Sequence, residues 1–147
     1  MPFVRIMVHV VWTTKERQKI ITKELKPKLL DHIRENAKLK HIFIDVVNCV
    51  EDHVHLLVSL GTEQTISKMM QLIKGESSHW INNHNELNVK FEWQDDYFAV
   101  SVSESMIGKV RKYILNQEAH HRTNTFDKEY QEFLLKYNFN KSVGKSI

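Results

Sequence analysis

The chain has little sulfur chemistry to offer: a single cysteine, Cys49, excludes an internal disulfide and points to a reducing, intracellular setting. No apolar run is long enough to span a bilayer. The first residues lack the basic start, apolar middle and small-residue cleavage site of a secretory leader, so a soluble cytoplasmic chain is expected. A phosphate-cradling loop is also missing. Gly144-Lys145-Ser146 imitates the end of one, but Phe139 stands where its first glycine is needed and no strand precedes it. The acidic cluster of a two-metal nuclease is not evident either. Asp45, Glu51 and Asp52 can bring carboxylates near one hairpin, yet turn chemistry explains Glu51-Asp52 equally well. Neither sign of charge dominates: 21 basic against 18 acidic side chains leave +3, which permits nucleic-acid binding without demanding it.

What is present is enough for one compact domain. At 147 residues and 41% hydrophobic content the chain can bury a core, and it is too short for two ordinary domains. Residues 1–137 are expected to form a single domain, with 138–147 as a polar tail. Phe3 to Thr13 reads as a strand that is mostly apolar on both faces, hence central. A helix follows from about Lys23, capped by Thr22, with Leu25, Leu29, Leu30 and Ile33 as its stripe. His41 to Val50 is a β-branched strand, and only Glu51-Asp52 separates it from the next, a tight antiparallel hairpin. Ile66, Met69, Met70 and Ile73 mark a second helix to about His84, which Gly75 is placed to interrupt. Tyr97 to Ser103 is the last strand. Two helices then extend the chain, about Glu104 to His120, with Ser103 as its N-cap, and about Lys128 to Tyr137. The order is βαββαβ: an α+β, ferredoxin-like antiparallel sheet with helices on one face, plus C-terminal helices.

Chemistry-bearing residues collect in two of these elements. From His53 to Leu60, His53, His55 and Ser59 alternate with Val54, Leu56, Val58 and Leu60, so both imidazoles share one face while Val54 anchors the strand from behind. Two imidazoles held on a rigid strand suit a divalent metal. A lone His-x-His is more often a pair of half-exposed polar residues. In the helix after the last strand, Met106, Ile107, Val110 and Ile114 form the stripe that packs on the sheet. Tyr113 and Gln117, four residues apart, are neighbours at its edge. Alone, that pair reads as a rim aromatic beside a solvated amide.

Taken together, His53-Val54-His55 after a short hairpin, Tyr97-Phe98-Ala99-Val100-Ser101-Val102-Ser103, and Tyr113-Ile114-Leu115-Asn116-Gln117-Glu118-Ala119-His120-His121 resemble the signature blocks of the single-tyrosine HUH transposases. These include the small transposases of insertion sequences that move as single-stranded DNA, and the REP-associated tyrosine transposases. The resemblance runs from the Val8-His9-Val10-Val11-Trp12 strand to about Leu135. It implies that His53 and His55 are metal ligands, Gln117 the third ligand and Tyr113 the nucleophile. Asp95-Asp96 depart from the glycine that relatives often carry in that turn.

The implied chemistry is a transesterification through a 5′-phosphotyrosyl intermediate. A phenol of ordinary pKa about 10 is a weak nucleophile, and phosphodiester charge repels attack, so the implied cofactor is a divalent ion, Mg²⁺ or Mn²⁺. The implied partners are single-stranded DNA folded as hairpins from imperfect palindromes and a second copy of the chain, in a prokaryotic, nucleoid-associated setting. Candidate phosphate contacts are Lys15, Arg17 and Lys19 after the first strand, Lys68 and Lys74 on the second helix, and Lys109, Arg111, Lys112 and Arg122 around the tyrosine. Other classes stay open. A non-catalytic single-strand-binding module predicts binding indifferent to metal and to Tyr113→Phe. A His-metal phosphodiesterase predicts turnover without a covalent adduct.

Overall fold

The computed structural model describes residues 2–84 and 87–119, with 128, 131, 132 and 135 beyond. The expected helix from about Lys128 to Tyr137, the tail from 138, His120, His121 and Arg122 lie outside the continuous described span.

Four strands form one antiparallel sheet: β1 (Ile6–Thr13), β2 (Phe43–Cys49), β3 (His53–Leu60) and β4 (Phe98–Val102), in spatial order β2-β3-β1-β4. Strands β1 and β3 are therefore central, consistent with the apolar run read for the first strand. In β2 the register with β3 shifts between Ile44 and Val46, so Asp45 is the extra residue of a bulge. The two-residue turn at Glu51-Asp52 closes the β2–β3 hairpin, with the Val50 amide donating to the His53 carbonyl at 3.1 Å.

Helices α1 (Leu25–Leu39) and α2 (Ile66–Asn83) cover one face of the sheet. The α1 stripe Leu25, Leu29, Leu30, Ile33 and Ala37 is buried against Val8, Val10, Trp12, Val54, Leu56 and Val58. The N-cap position is Glu24, without a side-chain cap; Thr22 secures the turn just ahead of it, its hydroxyl accepting from the Leu25 amide at 3.1 Å. Pro27 falls in the first turn, where its missing amide costs nothing. Gly75 does not interrupt α2. It sits on the exposed side of an unbroken helix whose buried residues, Met69, Met70, Ile73, Ser77 and Ile81, hold it to the core, so packing outweighs propensity.

The opposite face carries α3 (Ile107–Leu115), whose Ile107, Val110 and Ile114 pack on Met7, Val46, Leu57 and Val102. The helix expected to run unbroken from Glu104 to His120 is instead a 3₁₀ turn over Glu104–Met106, then α3, which ends at Asn116. Residues 117–119 resume helical conformation after that break. A side chain of β2 meets the helix end there: the Asn48 amide donates to the terminal carbonyls of Ile114 at 2.9 Å and Leu115 at 3.3 Å. Ser103 occupies the N-cap position through its backbone, the Met106 amide donating to its carbonyl, and its hydroxyl caps nothing.

Candidate active site

Alternation along β3 sends Val54, Leu56 and Val58 into the α1–α2 core and leaves His53, His55 and Leu57 on the face under α3. Both histidines are buried, at 0% and 2% exposure, so they are not the half-exposed polar pair that the tripeptide alone suggests. Their ring centroids lie 5.1 Å apart. Asp52, at the hairpin turn and itself buried, bonds His53 Nδ1 through Oδ1 at 2.7 Å. That contact puts the proton on Nδ1 and the lone pair of His53 on Nε2. Asp52 thus serves the turn and the imidazole together.

On β1, Val11 pairs with His55 and His9 with Leu57, so His9 and His55 are diagonal neighbours on the same face. His9 is buried, and its Nε2 lies 3.0 Å from His55 Nδ1, with one proton between them and either ring able to donate it. From above, Tyr113 of α3 brings its ring edge-on to His55, with centroids 5.6 Å apart, and to His9 at 6.3 Å. Past the break at Asn116, Gln117 turns back inward and is fully buried. Its amide nitrogen donates to the Tyr113 carbonyl at 3.2 Å, and its Oε1 has no hydrogen-bond partner among the described residues. A buried carbonyl oxygen left so costs about 1–3 kcal/mol, which a cation would recover.

These donors fit a divalent ion. Among the described residues no group of three His, Cys, Asp or Glu side chains is placed to hold a metal by itself, and the buried Gln117 amide oxygen is a further candidate donor. Two imidazole nitrogens and one amide oxygen are neutral donors of mixed kind, a set open to a divalent ion.

The sequence brings out His53, His55, Tyr113 and Gln117; the fold brings the first three together at one end of one sheet face and buries Gln117 one turn after Tyr113, bonded to the Tyr113 carbonyl. It misses His9 and Asn48. For His9 a signal existed, a titratable residue inside an otherwise apolar central strand. For Asn48 there was none. Asp45 does not join this cluster: from the β2 bulge it takes a bidentate pair with Arg111, Nε to Oδ1 at 2.8 Å and a second contact at 2.9 Å. The Arg111 hydrogen bonds hold the Asp45 carboxyl below the usual carboxylate range.

The candidate phosphate-binding cations divide by location. Lys109, Arg111 and Lys112 are exposed on α3, beside the cluster. Lys15, Arg17 and Lys19 are exposed in the turn leaving β1, where Glu16 and Arg17 both hold left-handed backbone, φ 56° and 53°. Lys15 pairs with Glu92 at 2.9 Å, and that bond raises its pKa. Lys68 and Lys74 belong to α2, which covers the other face. Lys74 Nζ donates to the carbonyls of Gln94 at 2.6 Å and Asp95 at 2.8 Å, tying down the segment before β4. Burial lowers its pKa.

With this geometry in hand, comparison with known proteins is specific. Residues 3–117 match the family model described as "Transposase IS200 like". The ISDra2 transposase TnpA of Deinococcus radiodurans is 28% identical over 114 residues, covering 74% of this chain and 81% of that protein. The transposase for insertion sequence element IS200 of Salmonella typhimurium is 25% identical over 114 residues, covering 74% of each. Among solved structures, a transposase of Deinococcus radiodurans superimposes with TM-score 0.65 at 24% identity, covering 79% of this chain and 93% of that one. The REP-associated tyrosine transposase bound to a REP hairpin gives 0.62 at 15% identity, covering 82% and 72%.

Proposed function

We propose that this chain, which belongs to the family of IS200-like transposases, cuts and rejoins single-stranded DNA by transesterification through Tyr113. Membership implies enzymatic processing of DNA. The finer reading is drawn from the site, and support comes from the meeting of His53, His55 and Tyr113, with Gln117 buried one turn after the tyrosine and its oxygen unsatisfied among the described residues.

In this reading His53 and His55 offer Nε2 and Gln117 offers Oε1 to a divalent ion, Mg²⁺ or Mn²⁺. The chemistry supplied by that ion when bound is charge compensation at a non-bridging phosphate oxygen. Tyr113 Oη forms a bond to phosphorus and loses its proton, while the bond from phosphorus to the 3′ oxygen breaks and that oxygen gains one. The products are a 5′-phosphotyrosyl link and a free 3′-OH. A second 3′-OH then reverses the exchange, so one phosphodiester is traded for another without nucleotide hydrolysis. His55 and His9 flank the tyrosine ring, limiting its swing and holding it ready for in-line attack. A hairpin from an imperfect palindrome is the substrate we assign, and a second copy of the chain completes the working assembly.

The test is an incubation of 3′-labelled single-stranded DNA from the regions flanking the gene with protein and Mg²⁺ or Mn²⁺, resolved on a denaturing gel. The expected result is a shifted covalent band that vanishes with chelator, with His55→Ala and with Tyr113→Phe. Tight hairpin binding with no adduct under any of these conditions would instead favour a non-catalytic binding module.

A further inference from the structure

Two of the buried histidines in this site face the same requirement. A neutral imidazole can give one nitrogen to a metal only if its proton sits on the other. For His53 the requirement is met by Asp52, a carboxylate that can only accept. For His55 the neighbour is His9, whose Nε2 lies 3.0 Å from His55 Nδ1, and an imidazole can donate or accept. If His9 donated, His55 would carry its own proton on Nε2 and could not ligate through that atom. If His9 accepts, His55 Nδ1 is the donor and its Nε2 lone pair is available.

We infer that His9 is a positioning residue for metal binding: it accepts from His55 Nδ1–H, fixes the tautomer and ring orientation of His55, and so does for this ligand what Asp52 does for His53. Several features of its setting favour that role. His9 is 1% exposed on the central strand, and its register places it diagonal to His55. Its ring lies 5.2 Å from that of His55 with the planes only 31° apart, so both in-plane nitrogens can share one proton. An imidazole is also the right length, since asparagine at this position would fall short and leucine would offer no acceptor. Because His9 and His55 stand on different strands, ligand geometry is tied to the β1–β3 register as well as to the hairpin turn.

The inference rests on the metal reading proposed above, and the measurements keep the two apart. Mn²⁺ affinity is measured by calorimetry for full-length wild type, His9→Leu and His9→Gln, whose carboxamide oxygen can replace the acceptor. Long-range ¹⁵N–¹H correlation of the metal-free wild type reports which nitrogen of His55 is protonated. The expected results are a His55 proton on Nδ1, affinity lowered about 10–100-fold in His9→Leu, and recovery of most of it in His9→Gln. A wild type that binds Mn²⁺ while His9→Leu binds equally tightly overturns this role and leaves the metal centre standing. Wild type that binds no Mn²⁺ overturns the metal centre and this role with it. If His9→Leu does not fold, wild type and His9→Gln decide: a His55 proton on Nε2, or His9→Gln binding no tighter than His53→Ala, overturns the inference.

Discussion

The two faces of the sheet are built from the same strands and do opposite work. Toward α1 and α2, Val8, Val10, Trp12, Val54, Leu56 and Val58 meet leucines, isoleucines and methionines in one continuous core. Toward α3 the apolar contact is smaller, centred on Leu57, Val46 and Val110. At its end it gives way to His9, Asn48, His53, His55 and Gln117, all buried. Burying polar side chains costs free energy wherever a polar atom is left without a hydrogen bond, a cost the larger apolar face does not carry. The lesson is a division along each strand: every second residue secures the fold, so that the residues between them can hold a costly arrangement.

The sharpest way to separate the faces is Tyr113→Phe against Leu56→Ala. Tyr113→Phe removes only an oxygen from a half-buried side chain. It is expected to abolish the covalent adduct while the unfolding free energy in urea stays within about 1.5 kcal/mol of wild type. Leu56→Ala, fully buried in the other face, is expected to cost about 2–5 kcal/mol in the same urea titration, with adduct formation per folded molecule retained. Loss of the adduct in Leu56→Ala at full folding would merge the two faces and break the comparison.

A smaller effect should appear where the faces meet. Asn48→Ala strips the donor from the Ile114 and Leu115 carbonyls, which is expected to cost about 1–3 kcal/mol. Freeing the end of α3 two residues after Tyr113 should also slow adduct formation, by up to about 10²-fold, in single-turnover measurements. The smallest effect belongs to the surface pair. Asp45 has a pKa depressed by Arg111, so its contribution is present above the ordinary carboxylate value of 3.8 and is lost as pH falls through the lower, folded value. Thermal midpoints of wild type and Arg111→Ala should therefore differ at neutral pH and converge in acid.

Much of this was legible because strand period and helix period are local. The alternation from His53 to Leu60 alone predicts which residues enter the core, and the two-residue turn predicts the hairpin. The end of α3 was not legible, because its terminal carbonyls are taken up by Asn48, a residue 66 positions before Ile114 in the chain. Nor was the bond from His9 to His55, since it depends on how β1 and β3 align, and a sequence carries no register. The cations show the same limit: Arg111 and Lys74 look alike as surface charges, yet one clasps Asp45 and the other a row of carbonyls.

The tight interleaving on β3 also bears on how such a chain can diversify. Insertion or deletion of one residue among the first positions of β3 would present Val54 and Leu56 to the tyrosine and drive both imidazoles into the apolar core. Length is thus frozen there in a way it is not at the exposed turn from Lys15 to Lys19. Change in length has that turn open to it, while the strand at the centre can be altered only by substitution.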